Sequence, residues 1–346
     1  LDGLGRFITA LGRACEQNDC TAEAGADAAL TSALGMDIAS FNRAWREDWS
    51  TKLAATQSAL DELLAARSKA VLSGDLNAFL ATVDRRTPNL MQEESAWFAD
   101  LNEYPVESFS LSAKPVAILE DGSVHASVTL SYQLEGETAR WAKGSSTFRG
   151  LFKPYGTGYR WAGVPFEIVA ADRVRVRCPA GQEEFASELL SNAQDIYDTL
   201  ITDLGISNPT WQTINLYSDE NAYRTSIFLS YPNNDWSPGW FAEGQSLKLL
   251  LDPSSSAESY RTILATQLAR QVLLQNGVQD EWLLTGGSHY LARGVDGGAS
   301  QMAAASNLYS LGKAIETEKL FDFAAFPDPY RLSEDEYKIA IPQAWD

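Results

Sequence analysis

Thr266, Gln267 and Arg270 lie within one predicted helix, and Thr285 lies in the next helix along the chain. On a helix, positions i and i+4 project from the same face, and two side chains with that spacing can hold one metal ion. The residue types oppose this chemistry. Threonine is a poor zinc ligand, Gln267 cannot accept a proton from water as a carboxylate would, and Arg270 puts permanent positive charge where a cation would sit. We therefore predict no metal, no cofactor and no catalytic residue at these positions.

The surrounding segments resemble the two zinc-binding motifs of the bacterial gluzincin metallopeptidases of clan MA. The first motif of that family is His-Glu-x-x-His, and the matching positions here are Thr266-Gln267-Leu268-Ala269-Arg270. The second, Trp-Leu-x-Glu-Gly-x-Ala-x-Tyr, matches residues 282–291, with Thr285 at the glutamate position. The resemblance implies a gluzincin-like domain that has lost its three metal ligands and its catalytic glutamate. We further expect Gln267, Arg270 and Thr285 to form a polar, metal-free plug. The alternative, two ordinary amphipathic helices, leads to the same prediction about catalysis.

The chain has only two histidines, His125 and His289. His289 lies four residues beyond Thr285, about one helical turn, and a single histidine cannot rebuild a metal site. His125 lies on the polar side of a predicted strand, and no acidic partner for it is recognisable in the sequence. We therefore expect a surface histidine rather than a catalytic acid or base.

Two of the three cysteines, Cys15 and Cys20, flank a short polar loop where a local disulfide could close. Such a bridge is typical of an oxidising compartment, so we expect an extracellular or cell-surface location. Cys178 ends a strand-like run and is expected to be a buried, inert thiol. The chain begins at Leu1, without an initiator methionine or a signal-like segment, which favours a processed or excised piece of a longer product.

The 346-residue chain carries a formal net charge of −19, with 46 acidic against 27 basic residues. A field of this sign repels phosphate backbones and anionic membrane surfaces, so nucleic acid and membranes are poor candidate partners. No apolar run is long enough to span a bilayer. The expected partner is a protein, reached by self-association or by contact with a neighbouring copy.

Alternating apolar and polar residues from Val124 to Leu134 predict a half-buried strand. A long helix over about 52–73, a break at Gly74 and Asp75, and a short helix precede it. Helices followed by an antiparallel sheet resemble the nuclear transport factor 2-like (SnoaL-like) α+β cone. That cone hosts enzymes, binding pockets and interaction modules alike, so the resemblance does not determine function.

The chain divides into three predicted parts, and the expected fold class is α+β. Residues 1–50 are helical, and the segment 34–46 resembles the C-terminal ending of a gluzincin-like domain. Residues 51–170 form the cone, and residues 171–346 form the degenerate gluzincin-like domain, truncated at its C-terminus. Four explanations for the displaced ending stay open: an excised piece of a tandem array, a circular permutation, completion of the next chain's domain, or a plain helical cap on the cone.

Aromatic residues recur at every fourth position near the start of the chain. Asp37 is placed to cap a helix that carries Phe41, Trp45 and Trp49 on one stripe, and Gly35 suits the end of a preceding helix.

We expect a non-catalytic, extracytoplasmic protein that acts as a structural or assembly subunit, through head-to-tail complementation of split domains. The alternative is a ligand- or peptide-binding module with a retained cleft, contacted by Trp236, Trp240, Phe241, His289 and Tyr290. A third reading is an enzyme that uses the pocket of the cone. Closely paired carboxylates inside that pocket would support the third reading.

Overall fold

A computed structural model describes residues 27, 31, 35–102, 104–136, 143–227, 239–240, 246–295, 311–317, 319–327 and 332–345. The fold is mixed α+β with a curled antiparallel sheet, which confirms the predicted class. The chain separates into two compact units, residues 1–60 and residues 61–346. The sequence predicted three parts, with boundaries after residues 50 and 170.

One long helix, α1 (Ile38–Leu72), occupies the region where the sequence suggested two. Neither glycine nor proline interrupts its 35 residues, so nothing in the stretch stops the helix. Asp37 caps the first turn, because its carboxylate accepts a hydrogen bond from the Ser40 backbone N–H at 2.7 Å. That bond lowers the pKa of Asp37.

Two predicted boundary signals are confirmed after α1. Gly74 has a φ of +66°, a conformation that favours glycine at a helix end. Asp75 then caps the short helix α2 (Leu76–Leu80), accepting a hydrogen bond from the Ala78 N–H at 2.9 Å. A third helix, α3 (Leu90–Ala99), follows.

Four antiparallel strands form the first sheet, in the order β1-β2-β3-β4. Their bounds are Val106–Ile118 for β1, Val124–Leu134 for β2, Lys143–Tyr155 for β3 and Gly158–Trp161 for β4. Strand β2 has the predicted bounds, and its alternate side chains are buried. Strand β1 was not predicted. It lies at the sheet edge, where Pro115 and the irregular register beside it are tolerated.

Aromatic side chains join the helices to this sheet. The rings of Phe79 on α2 and Trp97 on α3 stack with centroids 5.7 Å apart. Trp97 also packs against Phe109 of β1, with centroids 5.8 Å apart. All three residues are buried, so these contacts cover the apolar face of the sheet.

A second sheet contains five strands in the order β5-β6-β7-β9-β8. In chain order their bounds are Glu167–Ala170, Val174–Cys178, Gln212–Tyr217, Gly239–Trp240 and Leu247–Leu250. Strands β6, β7 and β9 run parallel to one another, and the two outer strands are antiparallel to their neighbours.

The two faces of the central strands differ in chemistry. One face belongs to the apolar core that α4 (Glu183–Asp203) completes, through Val174, Val176, Ile214, Leu216, Leu247 and Leu249. Because side chains alternate along a strand, the other face carries Arg177, Asn215 and Lys248. These three polar side chains are also buried.

Four further helices of the described fold matter for the sites below. They are α5 (Glu220–Ile227), α6 (Arg261–Gln275), α7 (Glu281–Ala292) and α8 (Glu334–Trp345). Helices α6 and α7 approach closely at Gly287, where an added Cβ would lie 3.1 Å from a methyl group of Leu273. Helix α8 packs against α7.

Candidate functional site

The four positions that the gluzincin resemblance singles out lie on α6 and α7, and all four are buried. They are Thr266, Gln267 and Arg270 on α6 and Thr285 on α7. The Thr266 hydroxyl donates a hydrogen bond to the Thr262 carbonyl oxygen of its own helix at 3.0 Å. The Thr285 hydroxyl has no hydrogen-bond partner among the described residues.

Positive charge dominates this region. Arg270 forms an ion pair with Glu281 at the start of α7, with 2.5 Å between Nη2 and Oε1. The positive charges of Arg270 and Arg293 act electrostatically on His289. Burial first, and then these two guanidinium groups, lower the pKa of His289 to about 4. A neutral histidine between two fixed cations is a poor position for a metal ion.

The residues present do not fit the zinc ion that the gluzincin resemblance implies. Within the described ranges, no group of three or more His, Cys, Asp or Glu side chains could hold a metal ion. Zinc needs at least three protein ligands of these types. The donor set therefore lacks the chemistry of a zinc site.

The remaining sequence candidates do not assemble into a described cleft. Tyr290 is largely exposed on α7. Trp236 and Phe241 lie outside the described residues, and Trp240 is described only as backbone of β8. The predicted cleft contacts therefore stay a prediction.

The predicted cysteine pair, Cys15 and Cys20, also lies outside the described residues. Cys178 is a free thiol and is buried in the core of the second sheet, which confirms the prediction of burial. Burial raises its pKa to about 11, so the thiol is unreactive at neutral pH.

His125 lines an open cleft of about 600 Å³. Its ring makes no hydrogen bond to another described residue. Asp121 lines the same cleft, but its carboxylate accepts hydrogen bonds from the N–H and hydroxyl of Ser123, both at 2.9 Å. The described residues therefore form no His–carboxylate pair for acid–base work here.

A cavity between the first sheet and the polar face of the second is the site that sequence reasoning missed. The space in it that the centre of a water molecule can occupy is about 90 Å³. Apolar side chains from α1, α3 and the first sheet form most of its wall, including Leu64, Trp97, Phe109, Val128, Phe148 and Trp161. Val164, Phe166, Tyr217 and Ala222 line both this cavity and the open cleft, so the two adjoin.

One group of polar residues in the cavity wall consists of Glu93, Arg177, Asn215, Tyr217 and Ser226, and Arg67, Glu94 and Thr225 also line the cavity. The side chain of Asn215 forms hydrogen bonds with both Glu93 and Arg177. Its Nδ2 donates to Glu93 Oε1 at 3.4 Å, and its Oδ1 accepts from Arg177 Nη1 at 3.5 Å. Strands β6 and β7 position Arg177, Asn215 and Tyr217 at alternate residues, whereas Glu93 comes from α3.

Glu93 and its neighbour Glu94 are both held by other groups. The Ser246 hydroxyl donates a short hydrogen bond to Glu93. Glu94 forms a short ion pair with Arg67 and accepts a hydrogen bond from the Trp161 indole at 2.8 Å. Two carboxylates from adjacent residues thus line the cavity; Glu94 is bonded to other groups of the protein through both of its oxygens, and Glu93 is bonded through Oε1.

Arg177 is the least satisfied charged group in the cavity wall. Its side chain lies 4.9 Å from the centroid of the Phe166 ring. Nε has no hydrogen-bond partner among the described residues, and the bond from Nη1 to Asn215 is at the long limit for a hydrogen bond. Burial lowers the pKa of Arg177, and the charge of Glu93 acts in the opposite direction.

The alternating arginines and valines of Arg173–Arg177 are the one signal in the sequence that could have indicated this site. They predict a strand with a charged face, and Arg177 is on that face. Glu93 and Asn215 carry no comparable signal.

Comparisons with known proteins identify no relative. No family model, no curated protein and no solved structure matches the chain. Among the described residues, no helix has the length and apolar character needed to cross a membrane.

Proposed function

We propose that this protein is a non-catalytic binding protein, and that the cavity between its two sheets takes a small, mainly apolar molecule. One observation carries the proposal: apolar and aromatic side chains form most of the cavity wall, and a small group of polar residues around Asn215 lines the rest together with Arg67 and Glu94. This composition is typical of small-molecule sites, in which apolar contacts supply affinity and a few polar groups orient the ligand.

Binding fits the cavity better than catalysis does. A general acid or base needs a carboxylate or imidazole free to exchange a proton with the substrate. Glu94 is paired with Arg67 and Trp161, and Glu93 is hydrogen-bonded to Ser246 and Asn215. His125 lines the neighbouring cleft rather than the cavity.

The same proposal includes the gluzincin-like region, which we take to be a pseudo-peptidase without catalytic activity. Its support is the resemblance of residues 261–291 to the two zinc motifs, together with the buried Arg270 at one ligand position. The extracytoplasmic location is proposed on the cysteine spacing alone.

Binding of indole to the full chain, measured by calorimetry, tests the proposed function. We expect binding by the native protein and loss of binding in Val128→Phe, because the new ring fills the cavity. Val116→Phe adds the same ring at an exposed position of β1 and should leave binding unchanged. If Val128→Phe does not fold, ring-current shifts of the Trp97 and Trp161 signals in the native protein locate the indole. Absence of binding to the native protein would overturn the proposal.

A second candidate function, head-to-tail self-assembly, is supported by exposed apolar side chains near both ends of the described chain. On α1, the rings of Trp45 and Trp49 stack with centroids 6.4 Å apart, and their exposed fractions are 55% and 42%. Near the other end, Ile315, Leu320 and Phe323 are also exposed. Two different apolar surfaces suit a contact between unlike faces of two copies, which propagates into chains unless a rotation closes it.

Light scattering over a range of protein concentrations tests this assembly. We expect the mean mass to rise with concentration in the native protein and to stay at that of a monomer in the variant with Trp45→Ala and Trp49→Ala. Leu76→Ala, at an exposed apolar position of α2, is the matched control. A native protein that stays monomeric at every concentration would exclude the assembly proposal.

A further inference from the structure

We infer that the ligand of the cavity is an anion, a small hydrophobic carboxylate whose carboxyl group binds Arg177. This inference rests on the proposed binding function and specifies the chemistry of the ligand. It follows from the state of one buried cation in the cavity wall.

Arg177 lacks the partners that a buried guanidinium requires. Its exposed fraction is only 5%. Its contacts with the described residues are one hydrogen bond of 3.5 Å and the face of the Phe166 ring, and Nε has no partner. A charge removed from water without a counterion is strongly destabilising, so proteins rarely leave one in this state.

Arg67, a second arginine in the same cavity wall, provides an internal comparison. Its guanidinium is paired with the Glu94 carboxylate, donates to the Thr82 hydroxyl at 3.0 Å, and lies 3.9 Å from the centroid of the Phe79 ring. Arg177 has the equivalent aromatic contact but no carboxylate. The missing element is therefore an anion.

Glu93 does not supply that anion. Its carboxylate is held by Ser246 and Asn215, and no ion pair joins it to Arg177 among the described residues. Its negative charge acts on Lys248 as well as on Arg177. One carboxylate is thus shared between two buried cations, although Glu94 and Asp100 also act on Lys248.

A carboxylate suits this position in both charge and shape. The planar guanidinium presents parallel N–H groups that match two carboxylate oxygens, and Nε is one of the groups still available. The aromatic wall formed by Trp97, Phe109 and Phe148 then surrounds the hydrophobic part of the ligand.

Three compounds of nearly equal shape test the inference: 3-phenylpropionate, 3-phenylpropan-1-ol and 3-phenylpropylamine, which are an anion, a neutral molecule and a cation. We expect the full-length native chain to bind the acid at least tenfold more tightly than the alcohol in calorimetry, and the amine most weakly. Arg177→Met should abolish the preference for the acid and leave the affinity for the alcohol within about twofold, since one good charged hydrogen bond corresponds to about tenfold or more.

Arg175→Met is the matched control. Arg175 lies on the same strand and face but donates to Thr213 at 2.8 Å and to Asn89 at 3.2 Å, and it does not line the cavity. Its replacement should preserve the preference for the acid. If Arg177→Met does not fold, the ratio of the native affinities for acid and alcohol decides the question.

The outcomes separate the two proposals. Equal affinity for acid and alcohol would mean that water satisfies Arg177, which overturns this inference and leaves the binding function intact. No binding of any of the three compounds, nor of indole, would overturn the binding function itself. Loss of the acid preference in Arg177→Met but not in Arg175→Met would support the inference.

Discussion

Arg270 of α6 and Glu281 of α7 form an ion pair, with 2.5 Å between Nη2 and Oε1, and Arg270 is buried. In the gluzincin resemblance, Arg270 takes the place of the second zinc-binding histidine. A pair of opposite charges thus links helices α6 and α7.

Removing the negative charge from this pair should destabilise the protein. Glu281→Gln removes the carboxylate that pairs with the buried guanidinium of Arg270, and we expect a loss of about 1–3 kcal/mol in the free energy of unfolding, because Glu281 itself is only partly buried. Denaturant titration measures the change. Glu334→Gln breaks the exposed pair with Lys338 and should leave the unfolding midpoint unchanged. Equal effects of the two substitutions would contradict the structural role assigned to Arg270.

His289 should titrate far below the usual range, and its titration should make stability depend on pH. The folded pKa is about 4, whereas an unfolded histidine has a pKa of about 6.5. Between these values the unfolded chain binds the proton more readily. Stability is therefore highest above pH 6.5 and falls as the pH drops towards 4, by at most about 3 kcal/mol from this group.

Nuclear magnetic resonance measures the pKa of His289 directly. The chain has two histidines, and the signal lost in His289→Gln identifies the one of interest. The same variant should show a smaller loss of stability between pH 6.5 and 4 than the native protein. A pKa near 6.5 would mean that neither partial burial nor the charges of Arg270 and Arg293 affect His289.

Restoring the missing ligands should create a zinc site if α6 and α7 have the gluzincin geometry. We expect the variant with Thr266→His, Gln267→Glu, Arg270→His and Thr285→Glu to bind one zinc ion per chain, measured by elemental analysis after dialysis. The native protein should carry none above background. The matched control replaces Thr285 with Gln instead of Glu and should bind zinc far more weakly. A folded variant without zinc would disprove the resemblance.

Gly150 of β3 should not tolerate a side chain. An added Cβ would lie 2.5 Å from the Trp161 ring and 2.7 Å from a methyl group of Val128, so the packing beside the cavity would have to shift. We expect Gly150→Ala to lower the free energy of unfolding by about 1–3 kcal/mol. Gly158→Ala, in the adjacent strand β4, meets nothing within 4 Å and is the control. Thermal and chemical unfolding of both variants measure the difference.

The sequence determined the features that depend on neighbours a few residues apart. Asp37 and Asp75 cap their helices through backbone groups three residues ahead, and Gly74 ends a helix by its own conformation. The alternation from Val124 to Leu134 likewise placed β2 correctly, since each side chain's face depends only on its position along the strand. Strand β1 was not predicted, because Pro115, a residue that is unusual in strands, interrupts its alternation of apolar and polar residues.

Only the tertiary structure decided the cavity and the group of polar residues around Asn215. Glu93 and Asn215 are 122 residues apart in sequence, yet their side chains meet because α3 and strand β7 converge there. The local alternation places Arg177 on the polar face of its strand, but it does not show that this face is buried. Nor does any local pattern show that Glu94, rather than Glu93, forms the ion pair with Arg67. Burial and charge pairing depend on which surfaces pack together, and that is a property of the whole fold rather than of any segment.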